Sequence, residues 1–225
     1  MKVLILGTSY VKGPASVYLF NLWRQLTTAL NPECDLLVVD SASPDLPDGV
    51  NTIRFADDIG HLGEGSRDGA GRAWSTGLEH AIAGGYDYVV NLETDLLFAR
   101  PVMPVLRRMR EFGVKIASPL AVPYQFIEPA LMFMEVAYIR GTRLVERYDW
   151  PNSPMAPISE VMLEGLIGAD FWPLLLRGCR NDMNQVTANN IGTIFDLGCD
   201  WITHCKDLAV YRAFLKMNGF GELAR

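Results

Sequence analysis

The stretch YDYVVNLETDLLF, residues 86–98, constrains this chain most, because it joins a run that must be buried to carboxylates that must not be. Tyr86, Tyr88, Val89, Val90 and Leu92 form an aromatic and β-branched run of strand length. It is too continuous for a strand with one wet face, so it predicts a parallel strand near the centre of a sheet. At its end Glu93 and Asp95 are separated only by Thr94 and would project to the same side of an extended backbone. Two acids on one side can share a cation. In open α/β sheets ligands bind outside the carboxyl ends of the strands, where this pair would sit.

The flanking segments fit a doubly wound plan. KVLIL (residues 2–6) predicts a first strand, with GTSYVKG as the loop after it. Pro14 then opens a helix through Leu19, Leu22, Trp23, Leu26 and Leu30, stopped by Asn31-Pro32. DLLVVD (35–40) reads as a second buried strand, SASPDLPDG as a turn-rich loop and NTIRF as a short third strand. The glycine-rich, polar connection DDIGHLGEGSRDGAG follows, and loops of this length are often functional. Ala70, Ala73, Trp74, Gly77, Leu78 and Ala81 mark a helix that Gly84-Gly85 ends, leading into the acidic strand. Pro101 starts another helix, closing at Gly113 before the strand VKIAS. Beyond residue 118 the pattern loosens. FMEVAYIRG reads as an apolar strand, a helix begins near Ser159, and an amphipathic helix runs from Asp207 through Tyr211 and Leu215. The expectation is one domain over 1–225: a nucleotide-binding half, 1–118, and an acceptor-shaping half, 119–225, within one continuous sheet.

Composition narrows the class. With 225 residues, 49% of them hydrophobic and 20% charged, the chain can bury a full core. A net charge of −6 gives no electrostatic footprint for nucleic acid or an anionic membrane. A polyphosphate substrate would therefore need a metal or a few placed basic groups. No segment reaches membrane-spanning length, the apolar start is too brief for a secretory core, and four cysteines without CxxC pairing suggest a reduced, cytoplasmic setting. Cys199, His204 and Cys205 match no zinc-ligand spacing.

Four segments in order carry a resemblance: TSY after the first strand, VVDSASPD (38–45), GAGRAWSTGLEHA (69–81) and YDYVVNLETDLLF. Together they resemble the family 2 glycosyltransferases of the GT-A fold. The resemblance covers residues 1 to about 112, and it implies a Rossmann-like α/β fold with a mixed, mainly parallel sheet flanked by helices on both faces. It further implies a metal-dependent transferase that takes a nucleotide-diphosphate sugar, such as a UDP- or GDP-sugar, as donor and moves the sugar, with inversion, to the hydroxyl of a glycan or other acceptor. Where the family carries its metal motif this chain has Glu93 and Asp95, the first position departing from Asp, so the resemblance implies that Asp95 would be the principal ligand for Mn²⁺ or Mg²⁺ and that Glu93 would share the ion or hold sugar hydroxyls. Asp40 would accept from the base, Thr8 and Tyr10 would contact base or ribose, Arg72 would reach the diphosphate or sugar, and His204 would complete the metal site.

Inversion needs a general base on the acceptor side. Asp182 in RGCRNDMN is the first candidate, ahead of Asp170, Glu160 and Asp149. Two other readings stay open: a degenerate domain that binds a nucleotide sugar without transferring it, and a sugar nucleotidyltransferase. The second needs a glycine-rich basic loop after strand one that GTSYVKGPAS lacks, and Gly7 and Gly13 do not make the GxGxxG of a dinucleotide oxidoreductase.

Overall fold

The computed structural model describes residues 1–60, 68–121, 126–151, 165–168, 170–180, 186–191, 198–205 and 207–224. Strand β1 (Val3–Ser9) runs three residues past the expected KVLIL, because TS continues its pairing with β2 (Asp35–Asp40) as far as Ser9 opposite Asp40. Helix α1 (Pro14–Leu30) connects them, with Pro14 at its start, where a missing N–H costs nothing. The Asn31 amide that ends it donates to Thr27 O at 2.9 Å, and its oxygen accepts from Val102 N at 2.8 Å. Strand β3 (Thr52–Arg54), helix α2 (Gly69–Ala83), strand β4 (Tyr88–Leu92), strand β5 (Leu97–Phe98) and helix α3 (Met103–Phe112) follow. Asp68 caps α2 by accepting from Gly71 N at 2.7 Å, and Gly113 ends α3 in the left-handed region at φ 68°. Pro101 precedes α3 instead of opening it.

The later elements are β6 (Ile116–Ala121), β7 (Phe126–Ile127), β8 (Leu131–Glu135), helices α4 (Val136–Gly141) and α5 (Leu144–Arg147), strands β9 (Phe171–Leu174), β10 (Gly178–Arg180) and β11 (Trp201–Thr203), and helix α6 (Leu208–Met217). FMEVAYIRG is thus a strand that turns into a helix at Val136. The helix expected near Ser159 lies outside the described residues.

The main sheet has the order β3-β2-β1-β4-β8-β6-β7, with β9 also pairing β6. β4 is parallel to β1 and antiparallel to β8, so the expected parallel central strand is parallel on one side only. The sheet is not the only one: β10, β11 and β5 form a second, three-stranded sheet. Alternation along the main strands builds two apolar layers. Val3, Ile5, Val90, Leu92 and Phe133 meet α1, α3 and α6 through Trp23, Leu106, Tyr211 and Phe214. Leu4, Leu6, Val89, Met132 and Met134 meet α2, α4 and α5 through Trp74, Leu78, Ile139 and Leu144. Each fully buried Leu, Ile or Val contributes roughly 1.5–3 kcal/mol. Helices therefore cover both faces, and polar groups are left to gather at the strand ends.

Candidate active site

The order of strands reverses between β1 and β4, and the crevice beyond their carboxyl ends is where a doubly wound sheet holds ligands. The acidic pair lies there. Its geometry differs from the expected extended triplet: β4 ends at Leu92, and Glu93 to Leu96 form a turn closed by Leu96 N donating to Glu93 O at 3.0 Å. Thr94 N and Oγ1 both donate to Thr8 O, at 3.3 and 3.0 Å, and Glu93 N donates to Ala130 O at 3.0 Å. The turn is thus stapled to β1 on one side and to the β7–β8 connection on the other.

Asp95 meets the second sheet. β11 runs antiparallel to β5, with Ile202 opposite Leu97, which brings Thr203 and His204 to the acidic turn. Thr203 Oγ1 donates to Asp95 Oδ1 at 3.2 Å, and His204 Nδ1 lies 3.5 Å from Asp95 Oδ2. The Asp95 side chain is 42% exposed and that of His204 29%, so both remain open to a ligand. His204 holds φ 57°, a left-handed conformation uncommon outside glycine and a recurrent feature of functional sites. The structure thus places Asp95 and His204 side by side at the carboxyl end of β4. Among the described residues no three His, Cys, Asp or Glu side chains gather into a metal cage. An open carboxylate with a neighbouring imidazole instead suits a hard cation that takes its other ligands from phosphate oxygens and water.

The remaining expected residues are arranged as follows. Thr8 is half-buried beside the turn, and Tyr10 is 47% exposed at the exit of β1. Asp40 is fully buried, and its carboxylate faces inward contacts: Oδ1 accepts from Ser9 Oγ at 2.9 Å and from Ser43 Oγ, while Oδ2 accepts from Ser43 N at 2.9 Å and lies 3.4 Å from Arg54 Nε. Arg72 Nη1 pairs with Asp57 Oδ1 at 2.9 Å and the guanidinium stacks 3.9 Å from the centre of the Phe55 ring, which ties α2 to the segment after β3. Asp182, Glu160 and His61 lie outside the described residues. Asp170 accepts from Tyr138 Oη at 2.7 Å just before β9, a strand parallel to β6, and so sits at the opposite end of the sheet from the acidic turn. Asp149 follows Tyr148, whose hydroxyl donates to the capping Asp68 at 2.8 Å.

Sequence reasoning missed several participants. Arg54, the register partner of Asp40, carried a signal in its place at the end of a short strand beside an acid. Tyr211 and Thr203 carried none, because only tertiary pairing brings them to the turn, and neither did the buried Glu128, 3.7 Å from Arg180 Nη1. A depression of 420 Å³ lined by Tyr86, Asp87, Arg110, Glu135 and Arg140 lies at the opposite end of β4. Its acids are engaged, Glu135 with Lys115 at 2.8 Å and Asp87 with the amino terminus at 3.9 Å.

No protein-family model matches the chain, and no curated protein matches it. Solved structures do. The chain is similar to the glycosyltransferase GlyE of Streptococcus pneumoniae TIGR4 at 11% identity and a TM-score of 0.58, over 99% of this chain and 59% of that one. It is similar to the galactosyltransferase LgtC, solved with donor and acceptor sugar analogues, at 13% identity and a TM-score of 0.53, over 100% of this chain and 95% of that one. It is also similar to the mannosyltransferase PcManGT of Pyrobaculum calidifontis, solved with GDP-Man and Mn²⁺, at 14% identity and a TM-score of 0.51, over 77% and 54%. The fold is that of the GT-A glycosyltransferases. Among the described residues no helix is long and apolar enough to cross a membrane.

Proposed function

We propose that this protein is a metal-dependent glycosyltransferase that moves a sugar from a nucleotide-diphosphate donor to an acceptor hydroxyl with inversion. The observation that carries the reading is the stapled turn at the switch point, where Asp95 stands exposed between Thr203 and His204. The three similar structures described above are glycosyltransferases, one of them solved with GDP-Man and Mn²⁺ and one with sugar analogues, which supports the same reading.

In this scheme Asp95, with Glu93 and His204, would hold a Mn²⁺ or Mg²⁺ ion, which when bound would supply positive charge against the diphosphate leaving group. Thr8 and Tyr10 border the nucleoside, Asp40 orders the nucleotide-facing loop, and Arg72 supports the donor side. The acceptor hydroxyl gives its proton to a carboxylate on the far side of the sugar, assigned to Asp182, as its oxygen bonds to the anomeric carbon and the bond to the diphosphate breaks. Residues 119–225 then shape the acceptor site, in a protein working in the cytoplasm.

The test combines thermal shift with UDP, GDP and CDP, with and without Mn²⁺, and a donor-hydrolysis assay on wild type and Asp95→Ala. Metal-dependent binding and turnover that vanish in the variant are expected. Full metal-dependent turnover by Asp95→Ala would refute the assignment, and metal-dependent binding without turnover would mark a binding module instead.

A further inference from the structure

The carboxyl ends of β1, β2 and β3 carry Ser9, Asp40 and Arg54 in register across three neighbouring strands. Had Asp40 been open, it would have been the acceptor for a base N–H. Its side chain is instead 0% exposed, and Ser9, Ser43 and Arg54 surround the carboxylate. What meets solvent at this position is the arginine, whose side chain is 53% exposed. Arg54 is also aimed. Its Nε faces Asp40 Oδ2 at 3.4 Å and Nη2 donates to the Ser43 carbonyl, while Nη1 has no partner among the described residues. One edge of the guanidinium is therefore spent on orientation, and the other offers parallel N–H groups outward.

This edge lies within reach of a nucleotide anchored at the acidic turn. β3 is three strand positions from β4, roughly 14 Å across the strand ends, a span that a nucleoside diphosphate covers. Tyr10, 47% exposed at the end of β1, stands between the two and offers a ring face to a base or ribose. The other flank of Asp95 is taken by Thr203, His204 and α6, so the nucleoside extends over β1 and β2. The segment behind Arg54 is held by the Arg72 contacts to Asp57 and Phe55.

We infer that Arg54 selects the donor's base, favouring one with two neighbouring hydrogen-bond acceptors, as guanine presents through O6 and N7 and cytosine through N3 and O2, over uracil, whose carbonyls flank an N–H donor. The inference rests on the transferase reading above and supplies the base that reading leaves open. A bidentate arginine–base contact discriminates by roughly tenfold or more.

The test is calorimetric titration of the whole chain with GDP, CDP and UDP in saturating Mn²⁺, for wild type, Arg54→Gln and Arg54→Lys. Arg54→Lys keeps the charge beside Asp40 but not the fork, and so guards against a variant that simply fails to fold. The expected result is GDP or CDP binding about tenfold or more tighter than UDP, the gap closing in both variants while UDP affinity holds. GDP and CDP titrations separate the two acceptor-rich bases. UDP binding as tightly as the others would overturn the base assignment alone, as would an equal loss for all three nucleotides in Arg54→Lys, which would make Arg54 a phosphate contact. If wild type bound none of the three, the transferase reading would fall and the base assignment with it.

Discussion

Tyr211, buried in α6, donates its hydroxyl hydrogen to the backbone carbonyl of Asp95 at 3.0 Å. The same oxygen accepts from Cys205 N at 3.1 Å, next to His204. One phenol therefore holds both sides of the candidate metal site: the acidic turn after β4 and the segment after β11.

Tyr211→Phe keeps the ring and its packing but leaves the Asp95 carbonyl without this donor and the Cys205 amide without this acceptor. An unmet buried polar group costs roughly 1–3 kcal/mol, and in a chain of this size each kcal/mol lowers Tm by about 2–4 °C. A fall of several degrees is expected, with weaker Mn²⁺-dependent nucleotide binding. A wild-type melting curve for the variant would show that the phenol does not hold the turn.

Asp95→Asn separates charge from shape. The amide oxygen can still accept from Thr203, so the fold and melting temperature should stay near wild type. Losing the anion from a preorganised site typically costs roughly a hundredfold or more in rate, so metal-dependent donor turnover should fall by that order. Glu93→Gln should cost less, because Glu93 is the secondary ligand in the scheme. Equal losses in the two variants, measured as kcat at saturating Mn²⁺, would contradict that asymmetry.

Gly7 connects the core to the site. A Cβ there would lie 2.7 and 2.8 Å from Trp23 ring carbons and 3.0 Å from Thr94 Cγ2, with Trp23 fully buried and unable to yield. Overpacking of this kind costs typically 1–3 kcal/mol. Gly7→Ala should therefore destabilise the protein in urea unfolding and, by pushing Thr94 off the Thr8 carbonyl, weaken nucleotide binding as well. Destabilisation with unaltered binding would show that the turn does not depend on this contact.

The front of the fold was legible because its signals are local. Pro14, Asn31, Gly84 and Gly113 punctuate helices whose apolar spacing sets their faces, and β2 runs over the expected residues 35–40. The site was legible only in part. That acids stand at the exit of β4 follows from the run before them, but their shape does not, since the turn depends on Thr8 and Ala130, distant in sequence. The second sheet escaped for a related reason: strands of two or three residues, such as β5 and β11, have too few positions for a period and are defined by their partners. Asp40 and Arg54 show the same limit, since an acid at a strand end has one meaning when exposed and another when a neighbouring strand supplies its partner.

Alkaline titration supplies a check remote from the site. Burial first, then the hydrogen bond to Asp35, pushes the Tyr86 phenol up from 10.0 to about 12; burial and then Asp170 push Tyr138 to about 12 likewise. A proton held more tightly in the folded state stabilises it: the contribution is intact below the unfolded value of about 10 and is lost as pH climbs through the folded value. Stability should therefore decline between about pH 10 and 12. Cys34, raised to about 11 by burial and then by Glu33 and Asp35, loses its own part from its ordinary 9.0 upward. Tyr86→Phe with Tyr138→Phe removes the two phenols while leaving Cys34 in place. Tm measured from pH 8 to 12 should then fall less steeply above pH 10 in the double variant than in wild type. Parallel curves across that window would show that burial and the Asp35 and Asp170 contacts do not hold the phenol protons.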